Sequence, residues 1–340
     1  MSEGEHRRST IASLILSACP WKSHRRGLNT DTESILETGT LNFRQKRMTT
    51  TNDSSDAYFL QSIIVINTVM ALLAASLNFL TIFTFVKTPS LREKSSNVLV
   101  LGLAIADFSA GVIAQPVFVS WNIYIFLSSD ELEKSQEVVL HVFILISDMI
   151  ILVSFLNIIA ITTDRFLAVH LHLRYQELVT TKRCGIALAC IWVFCLVFNV
   201  ATSSLMLSFY EGYIVICLML YIALGVINIF LLVKISRVIR RHSVQIHAQQ
   251  HSVQQSINMP RYKKSVNTLF YVSGAFSLSF ISTVAIGILQ LSLEDIWFMI
   301  FCGGTQWTLV MLNSVLNPII YCMRVGEIRT AIVKLLRRSI

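Results

Sequence analysis

Charged side chains are scarce in this 340-residue chain, where they make up 14% of the residues against 54% that are hydrophobic. The mean hydropathy of +0.63 is typical of a membrane protein. Seven runs contain no charged residue or a single aspartate, and each is longer than the roughly 20 residues that cross a bilayer. We number them spans 1 to 7: residues 57–86, 95–129, 138–163, 184–210, 212–233, 265–293 and 296–323. The sequence therefore predicts an all-α membrane protein with a seven-transmembrane helix bundle.

Signals for catalysis are also missing from the sequence. The chain shows no nucleophile–base pair, no nucleotide-binding loop and no cluster with metal-ligand spacing. Its seven cysteines include no obvious extracellular pair. We therefore expect a protein that is not an enzyme.

Lysine and arginine are nearly absent from one set of loops and concentrated in the other. They follow spans 1, 3, 5 and 7, whereas the opposite loops hold Lys134 against acids such as Glu211 and Glu294. The positive-inside rule then places the N-terminus outside and the C-terminus in the cytosol, as in a multi-pass protein of the plasma membrane. Because the net charge of +8 is spread over loops between spans, it suits membrane lipids or a protein partner, and nucleic acid is not expected.

The chain divides into three parts. Residues 1–56 are polar with mixed charge, which predicts a disordered extracellular segment, and Asn52 begins a glycosylation sequon that would face outside. Residues 57–322 form the transmembrane bundle. Residues 323–340 form a short cytoplasmic tail, in which 325–338 intersperse apolar with basic side chains as an amphipathic helix along the inner leaflet does.

Polar side chains inside the spans mark candidate sites, because they are costly in hydrocarbon. Asp107 in span 2 is accompanied by Ser154 in span 3 and by Asn313, Ser314 and Asn317 in span 7. One carboxylate with several neutral oxygens could hold a small hard cation. Alternatively, Asp107 is protonated and only hydrogen-bonded. The residue types and their spacing leave both interpretations open.

Five motifs, in order and each on the expected span, make residues 57–338 similar to the rhodopsin-like (class A) G-protein-coupled receptors. They are Asn78 in span 1, Leu103-Ala104-x-Ala106-Asp107 in span 2, Asp164-Arg165-Phe166 closing span 3, Trp192 in span 4 and Asn313-Ser314-x-x-Asn317-Pro318-x-x-Tyr321 in span 7. The resemblance implies a receptor that transmits an extracellular ligand signal across the plasma membrane to a heterotrimeric G protein. The alternative is a seven-helix transporter or channel that uses Asp107 and Asp148 as ion-pathway groups.

The resemblance also implies roles for individual residues. A sodium pocket that favours the inactive state, with Asp107 as the metal ligand, would comprise Asp107, Ser154, Asn313, Ser314 and Asn317. G-protein coupling and the activation switch would involve Asp164, Arg165, Phe276, Phe280, Asn317, Pro318 and Tyr321. Phe280 stands where the family usually has tryptophan and Ser282 where it has proline, so span 6 is expected to lack the family's kink.

Three departures from the family pattern resemble the melanocortin-receptor branch. Leu140 stands where the family has a cysteine, so the disulfide to the second outer loop is expected to be absent; that loop is minimal, and span 5 has no proline. The acidic residues with which melanocortin receptors hold an arginine-bearing peptide align with Val117, Leu140 and Ile144. The resemblance therefore does not extend to that ligand.

A ligand pocket is expected in the outer half of the bundle. Its candidate residues are Trp121, Ser147, Asp148, Ile151, Phe280, Gln306 and Trp307. Asp148 could pair with a cationic ligand, but the aspartate of amine receptors aligns with Ser147, and an offset of one residue rotates a side chain by about 100° around the helix. We therefore favour an interhelical hydrogen bond for Asp148.

Retinal and arrestin can be judged from the last span and the tail. Opsins attach retinal to a lysine in span 7, and residues 296–323 contain none, so no retinal cofactor is expected. Arrestin is expected to act modestly, because the tail offers only Thr330 and Ser339 for phosphorylation.

Overall fold

The computed structural model describes residues 53–127, 133–171, 174–249, 273–274, 276–277, 279–289, 296–324 and 326–339. These residues are almost entirely helical. The predicted glycosylation site at Asn52, and all but the last four residues of the predicted extracellular segment, lie outside them.

The described helices follow the order of the predicted spans, and we label them α1 to α8. They are α1 (Asp53–Lys87), α2 (Ser95–Ser109, a π-helical turn Ala110–Ala114, and Gln115–Leu127), α3 (Glu133–Leu171), α4 (Thr181–Ser208), α5 (Tyr210–Gln249), α6 (Ser279–Leu289), α7 (Ile296–Arg324) and α8 (Gly326–Ser339). Short helices Pro89–Arg92 and Tyr175–Leu178 lie in the loops after α1 and α3.

Length and composition agree with the predicted bundle. Within the described ranges, α1 to α5 are each long and apolar enough to cross a membrane, whereas α6 is a shorter apolar stretch. Helix α7 is followed by α8, and the two helices meet at an angle of 90°. The predicted seven-helix architecture with an amphipathic helix after the last span is confirmed.

The outer faces of the helices are apolar and the interior carries the polar groups. Leu72 on α1, Val197 on α4 and Phe230 on α5 are each more than half exposed. Asn78 and Asp107, in contrast, are 1% exposed. This inversion of the usual soluble pattern is what a bilayer favours, because lipid solvates the apolar faces while polar groups find partners only inside the bundle.

Helix α2 contains a proline, Pro116, which follows the π-helical turn Ala110–Ala114. In a regular helix the proline ring would clash with the carbonyl four residues earlier. A wider turn relieves such a clash without ending the helix. Gly111 lies inside this turn, where a Cβ would sit 2.7 Å from the Ala75 backbone nitrogen of α1. The backbones of α1 and α2 therefore approach closely at this point.

Helix α5 is longer than the sequence predicted. The sequence predicts span 5 over residues 212–233, yet α5 continues to Gln249. No proline or glycine interrupts the chain between Gly225 and Pro260, so nothing breaks the helical hydrogen bonding at the membrane surface. At its other end α5 is separated from α4 by Phe209 alone, in agreement with the predicted minimal loop.

Helix α8 is anchored to the bundle by both of its faces. Ile328 and Ile332 are buried in the same apolar cluster as Leu91 and Tyr321. On the polar side, Lys94 Nζ lies 2.5 Å from Glu327 Oε1. The amphipathic pattern of the tail therefore seats the helix against α1 and α7.

Candidate functional site

Asp107 of α2 lies at the centre of a buried polar cluster that joins three helices. Asn317 Nδ2 of α7 donates to Asp107 Oδ2 over 2.8 Å, and Ser154 Oγ of α3 donates to Asp107 Oδ1 over 3.5 Å. The Ser314 hydroxyl of α7 lies close to the same carboxyl group. All four residues are at most 7% exposed. Because the cluster is buried, these side chains are the partners that satisfy the carboxyl oxygens.

Asn313, the fifth residue of the predicted sodium pocket, makes a different contact. Its Nδ2 donates to Ser279 Oγ of α6 over 3.0 Å, and the Ser279 hydroxyl donates to the Leu309 carbonyl over 3.1 Å. Asn78 of α1 donates to the Ser314 carbonyl over 2.9 Å. Helix α7 is thus held by polar contacts from α1, α2 and α6 within about two turns.

The Asp164-Arg165 pair lies near the C-terminal end of α3. Arg165 Nε is 3.5 Å from Asp164 Oδ2, and the Asp164 side chain is nearly buried. Tyr175, on the short helix after α3, donates to Asp164 Oδ1 over 2.7 Å, and its hydroxyl is 3.2 Å from Ser95 Oγ. Burial, with the Asp164 charge adding to it, raises the pKa of Tyr175 to about 12, so the hydroxyl stays protonated at physiological pH.

Three of the predicted switch residues share one apolar cluster: Phe276 and Tyr321 belong to it, and the partly buried Phe280 packs against it. Phe276 and Phe280 pack on Phe155 of α3, with ring centroids 4.5 and 5.6 Å apart. Pro318 lies inside the continuous helix α7, and Tyr321 is 5% exposed. The aromatic rings therefore tie α6, and Phe276 just before it, to α3.

A cavity of about 410 Å³, including the open space at its mouth, lies above these rings. Five of the seven predicted ligand-pocket residues line it, and these are Asp148, Ile151, Phe280, Gln306 and Trp307. Ser279 and Asn313 also contribute to its wall. The cavity therefore reaches the polar contact between α6 and α7 directly.

Asp148 accepts a hydrogen bond from the Tyr213 hydroxyl of α5. We expected an interhelical hydrogen bond for Asp148, because it is offset by one residue from the position of the aspartate in amine receptors. Trp121 and Ser147 do not line the cavity. Trp121 packs on Leu60 and stacks with Tyr124, and Ser147 is fully buried on α3.

The comparison with known proteins identifies the family. A family model described as "7 transmembrane receptor (rhodopsin family)" matches residues 77–321, most of the chain. The chain belongs to this receptor family. Its buried Asp107 cluster and its cytosolic Asp164-Arg165 pair therefore belong to a receptor, which disfavours the transporter or channel alternative.

Melanocortin receptors are among the relatives of this receptor. It is 27% identical to mouse melanocortin receptor 5 over 262 residues, which cover 74% of this chain and 77% of the relative. It is 27% identical to the pig melanocortin receptor 5 over 69% of this chain and 81% of the relative. It is 26% identical to zebrafish melanocortin receptor 4 over 74% of this chain and 77% of the relative. The predicted resemblance to this branch is confirmed.

Several contacts of the receptor were not predicted. Phe155 and Tyr221 complete the aromatic cluster, but apolar residues in mid-span carry no signal that marks them out. Thr162 of α3 donates to Asn228 Oδ1 of α5 over 3.2 Å. The contact of Tyr175 with Asp164 had one signal in the sequence. Tyr175 follows Asp164 by eleven residues in a short loop, which keeps the two side chains close together.

Proposed function

We propose that this receptor transmits an extracellular ligand signal to a heterotrimeric G protein. The observation that carries the proposal is the restrained pair Asp164-Arg165 at the cytosolic end of α3. A carboxylate that is shared between Arg165 and Tyr175 holds the arginine against its own helix. An arginine released from such a pair can engage a partner, because its guanidinium is always charged and offers five donors.

The signal would arise as a shift between two packings of the helices. The cavity wall includes Asn313 and Ser279, whose hydrogen bond joins α7 to α6. A ligand that binds better to a packing without this bond would shift the population toward that packing. The end of α3 that carries Asp164 would then open and expose Arg165. Ligand affinity and G-protein affinity are thereby coupled.

Replacing Arg165 by alanine is expected to abolish ligand-dependent or constitutive nucleotide exchange on the G protein. The variant loses the cation that would contact the partner but keeps the Asp107 cluster and the cavity. The measurement is GTPγS binding in membranes with purified G proteins of the major classes. Arg92→Ala, which removes an exposed cytosolic arginine from the first loop, is the matched control and should keep wild-type exchange.

The same assay on the wild-type receptor tests whether it signals through G proteins at all. Exchange that equals that of empty membranes for every G-protein class would show that the receptor does not signal through G proteins. Equal exchange by wild type and Arg165→Ala would show that Arg165 is not the coupling residue.

We also propose that the Asp107 cluster binds sodium as an allosteric modulator. The residues fit the ion, because a buried carboxylate and the hydroxyls of Ser154 and Ser314 are hard oxygen ligands. Asp107, Ser154 and Ser314 would hold the ion, and Asn313 and Asn317 could add amide oxygens. Bound sodium supplies a positive charge that offsets the buried carboxylate. Asn317 holds the same carboxylate from α7 and so keeps α2 and α7 together.

Sodium is expected to raise the thermal stability of the purified wild-type receptor relative to potassium at equal ionic strength. The Asp107→Asn variant should show no difference between the two salts, because the charged ligand is gone. Asp148→Asn is the matched control, since it neutralises the other intramembrane aspartate and should keep the sodium effect. Once a ligand is known, sodium should also change the ligand affinity of the wild type and of Asp148→Asn, but not that of Asp107→Asn. A sodium effect that survives Asp107→Asn would show that the ion binds elsewhere.

The remaining proposals concern topology and partners. We place the N-terminus outside and the C-terminus in the cytosol of the plasma membrane, supported by the basic residues that follow α1, α3 and α7. Exposed basic residues of α8, such as Arg329 and Lys334, suit anionic lipids of the inner leaflet. Arrestin would bind with modest affinity, since the tail carries few phosphorylation sites.

A further inference from the structure

We infer that the ligand of this receptor presents a single cationic group to Asp148, and that Tyr213 is the residue which that cation displaces. The inference rests on the proposed ligand-binding role of the cavity and adds the chemical class of what the cavity takes. It concerns a carboxylate on α3 and a hydroxyl on α5, both distinct from the Asp107 cluster.

The charge of the cavity wall points to a cation. Among the described residues that line the cavity, Asp148 is the charged one, and none is basic. The other polar groups there are neutral, and they include Ser279, Thr283 and Gln306. A carboxylate or phosphate ligand would find no positive charge among these residues and would lie beside the negative charge of Asp148. Such a ligand is disfavoured, because an unpaired charge inside a membrane protein is costly.

The partner of Asp148 is a weak substitute for a cation. Tyr213 donates a neutral hydroxyl to one carboxylate oxygen, Oδ2. A hydroxyl satisfies one acceptor site, whereas a carboxylate offers about four and also carries a charge that a neutral donor cannot offset. An ammonium or guanidinium group would supply both the charge and further donors. The hydrogen bond to Tyr213 therefore describes how Asp148 is satisfied when no cation contacts it.

The apolar part of the wall fits the body of such a ligand. Phe155, Phe280 and Trp307 line the cavity together with Ile151 and Val310. Aromatic faces attract a cation and also bury an apolar or aromatic scaffold. This lining suits a small molecule or one side chain of a peptide.

Two sources of the cationic group share this chemistry, and the experiment separates them. The first arm uses arylalkylamines with their neutral alcohol isosteres. The second uses short peptides with one arginine and the same peptides with citrulline, which keeps the shape and removes the charge. Binding is measured as thermal stabilisation of the full-length receptor in nanodiscs without G protein. The readout is the ratio of affinities for the charged and the neutral member of each pair.

We expect the wild-type receptor to prefer the charged member in at least one arm. Asp148→Asn should lower the affinity for that member by about 30-fold or more, and leave the neutral member within about threefold. Asparagine still accepts the hydrogen bond from Tyr213, so the variant keeps the contact between α3 and α5. Tyr213→Phe should raise the affinity for the charged member by about tenfold, because the cation no longer competes with a hydroxyl.

The opposite responses of the two variants exclude a merely structural role. If Asp148 and Tyr213 served packing alone, both variants would weaken the charged and the neutral members equally. The inference is overturned if neither arm shows a preference for the cation, or if Asp148→Asn keeps that preference. Cation binding without nucleotide exchange would support the inference and contradict the proposed G-protein function, whereas exchange without any cation preference would do the reverse.

Discussion

Replacing Gly111 by alanine is expected to destabilise the receptor by about 2 kcal/mol, the net of two opposing effects. Alanine is favoured over glycine in a helix by about 1 kcal/mol. The added methyl group would, however, lie 2.7 Å from the Ala75 backbone nitrogen, 3.0 Å from the Ala74 Cβ and 3.1 Å from the Ala71 carbonyl oxygen of α1. Overpacking costs about 3 kcal/mol where the neighbour is backbone and cannot rotate away. Helices α1 and α2 would therefore have to separate.

The measurement is the unfolding free energy of the purified receptor in bicelles, obtained by steric trapping, together with its surface expression in cells. Gly185→Ala is the matched control, because a methyl group on this lipid-facing glycine of α4 would meet no described atom within 4 Å. We expect that variant to be as stable as the wild type or slightly more stable. Equal stability of the two alanine variants would show that α1 and α2 are not in backbone contact at Gly111.

Replacing Asn317 by alanine is expected to cost about 3 kcal/mol of stability. The variant removes the donor that lies 2.8 Å from Asp107 Oδ2 and leaves part of a buried carboxyl group without a partner. Hydrogen bonds to charged groups contribute about 1.5–3 kcal/mol, and an unsatisfied buried acceptor adds its desolvation cost. In the Asp107→Asn background the same substitution should cost about 1 kcal/mol, because a neutral amide tolerates the loss more readily.

The four proteins of this double-mutant cycle give the coupling energy directly. A second cycle with Asn313→Ala and Asp107→Asn is the matched control. Asn313 is also an asparagine of α7, but its amide donates to Ser279. That cycle should be additive within about 0.5 kcal/mol. Coupling of equal size in both cycles would show that the Asp107 cluster acts as one undivided network rather than through the Asn317 hydrogen bond.

The two candidate sites differ in how far the sequence predicted them. Asp107, Ser154, Ser314 and Asn317 were predicted to lie together, and they do, because a carboxyl group in hydrocarbon can be satisfied only by polar groups of other spans. Asn313 belongs to the same motif, but it donates to Ser279. Residues four apart share a helix face but lie about 6 Å apart along the helix axis, which is enough to change the partner.

The ligand cavity was predicted less completely. Asp148, Ile151, Phe280, Gln306 and Trp307 share one wall, whereas Trp121 and Ser147 lie elsewhere. The position of a side chain on its own helix follows from periodicity. Whether that face meets a cavity or a neighbouring helix depends on the rotation and tilt of each helix within the bundle. These angles come from packing between residues far apart in the chain, which no local pattern encodes.

The amino-acid sequence by itself determined the class of the protein: the number and order of the spans, the amphipathic tail helix and the polar residues that must be buried. These follow from local properties, because a span has to satisfy its own backbone and expose apolar side chains to lipid. Only the tertiary structure decided the partners, such as Tyr213 for Asp148, Tyr175 for Asp164 and Ser279 for Asn313. Each partner lies on another helix, and a contact between helices is settled by their packing in three dimensions.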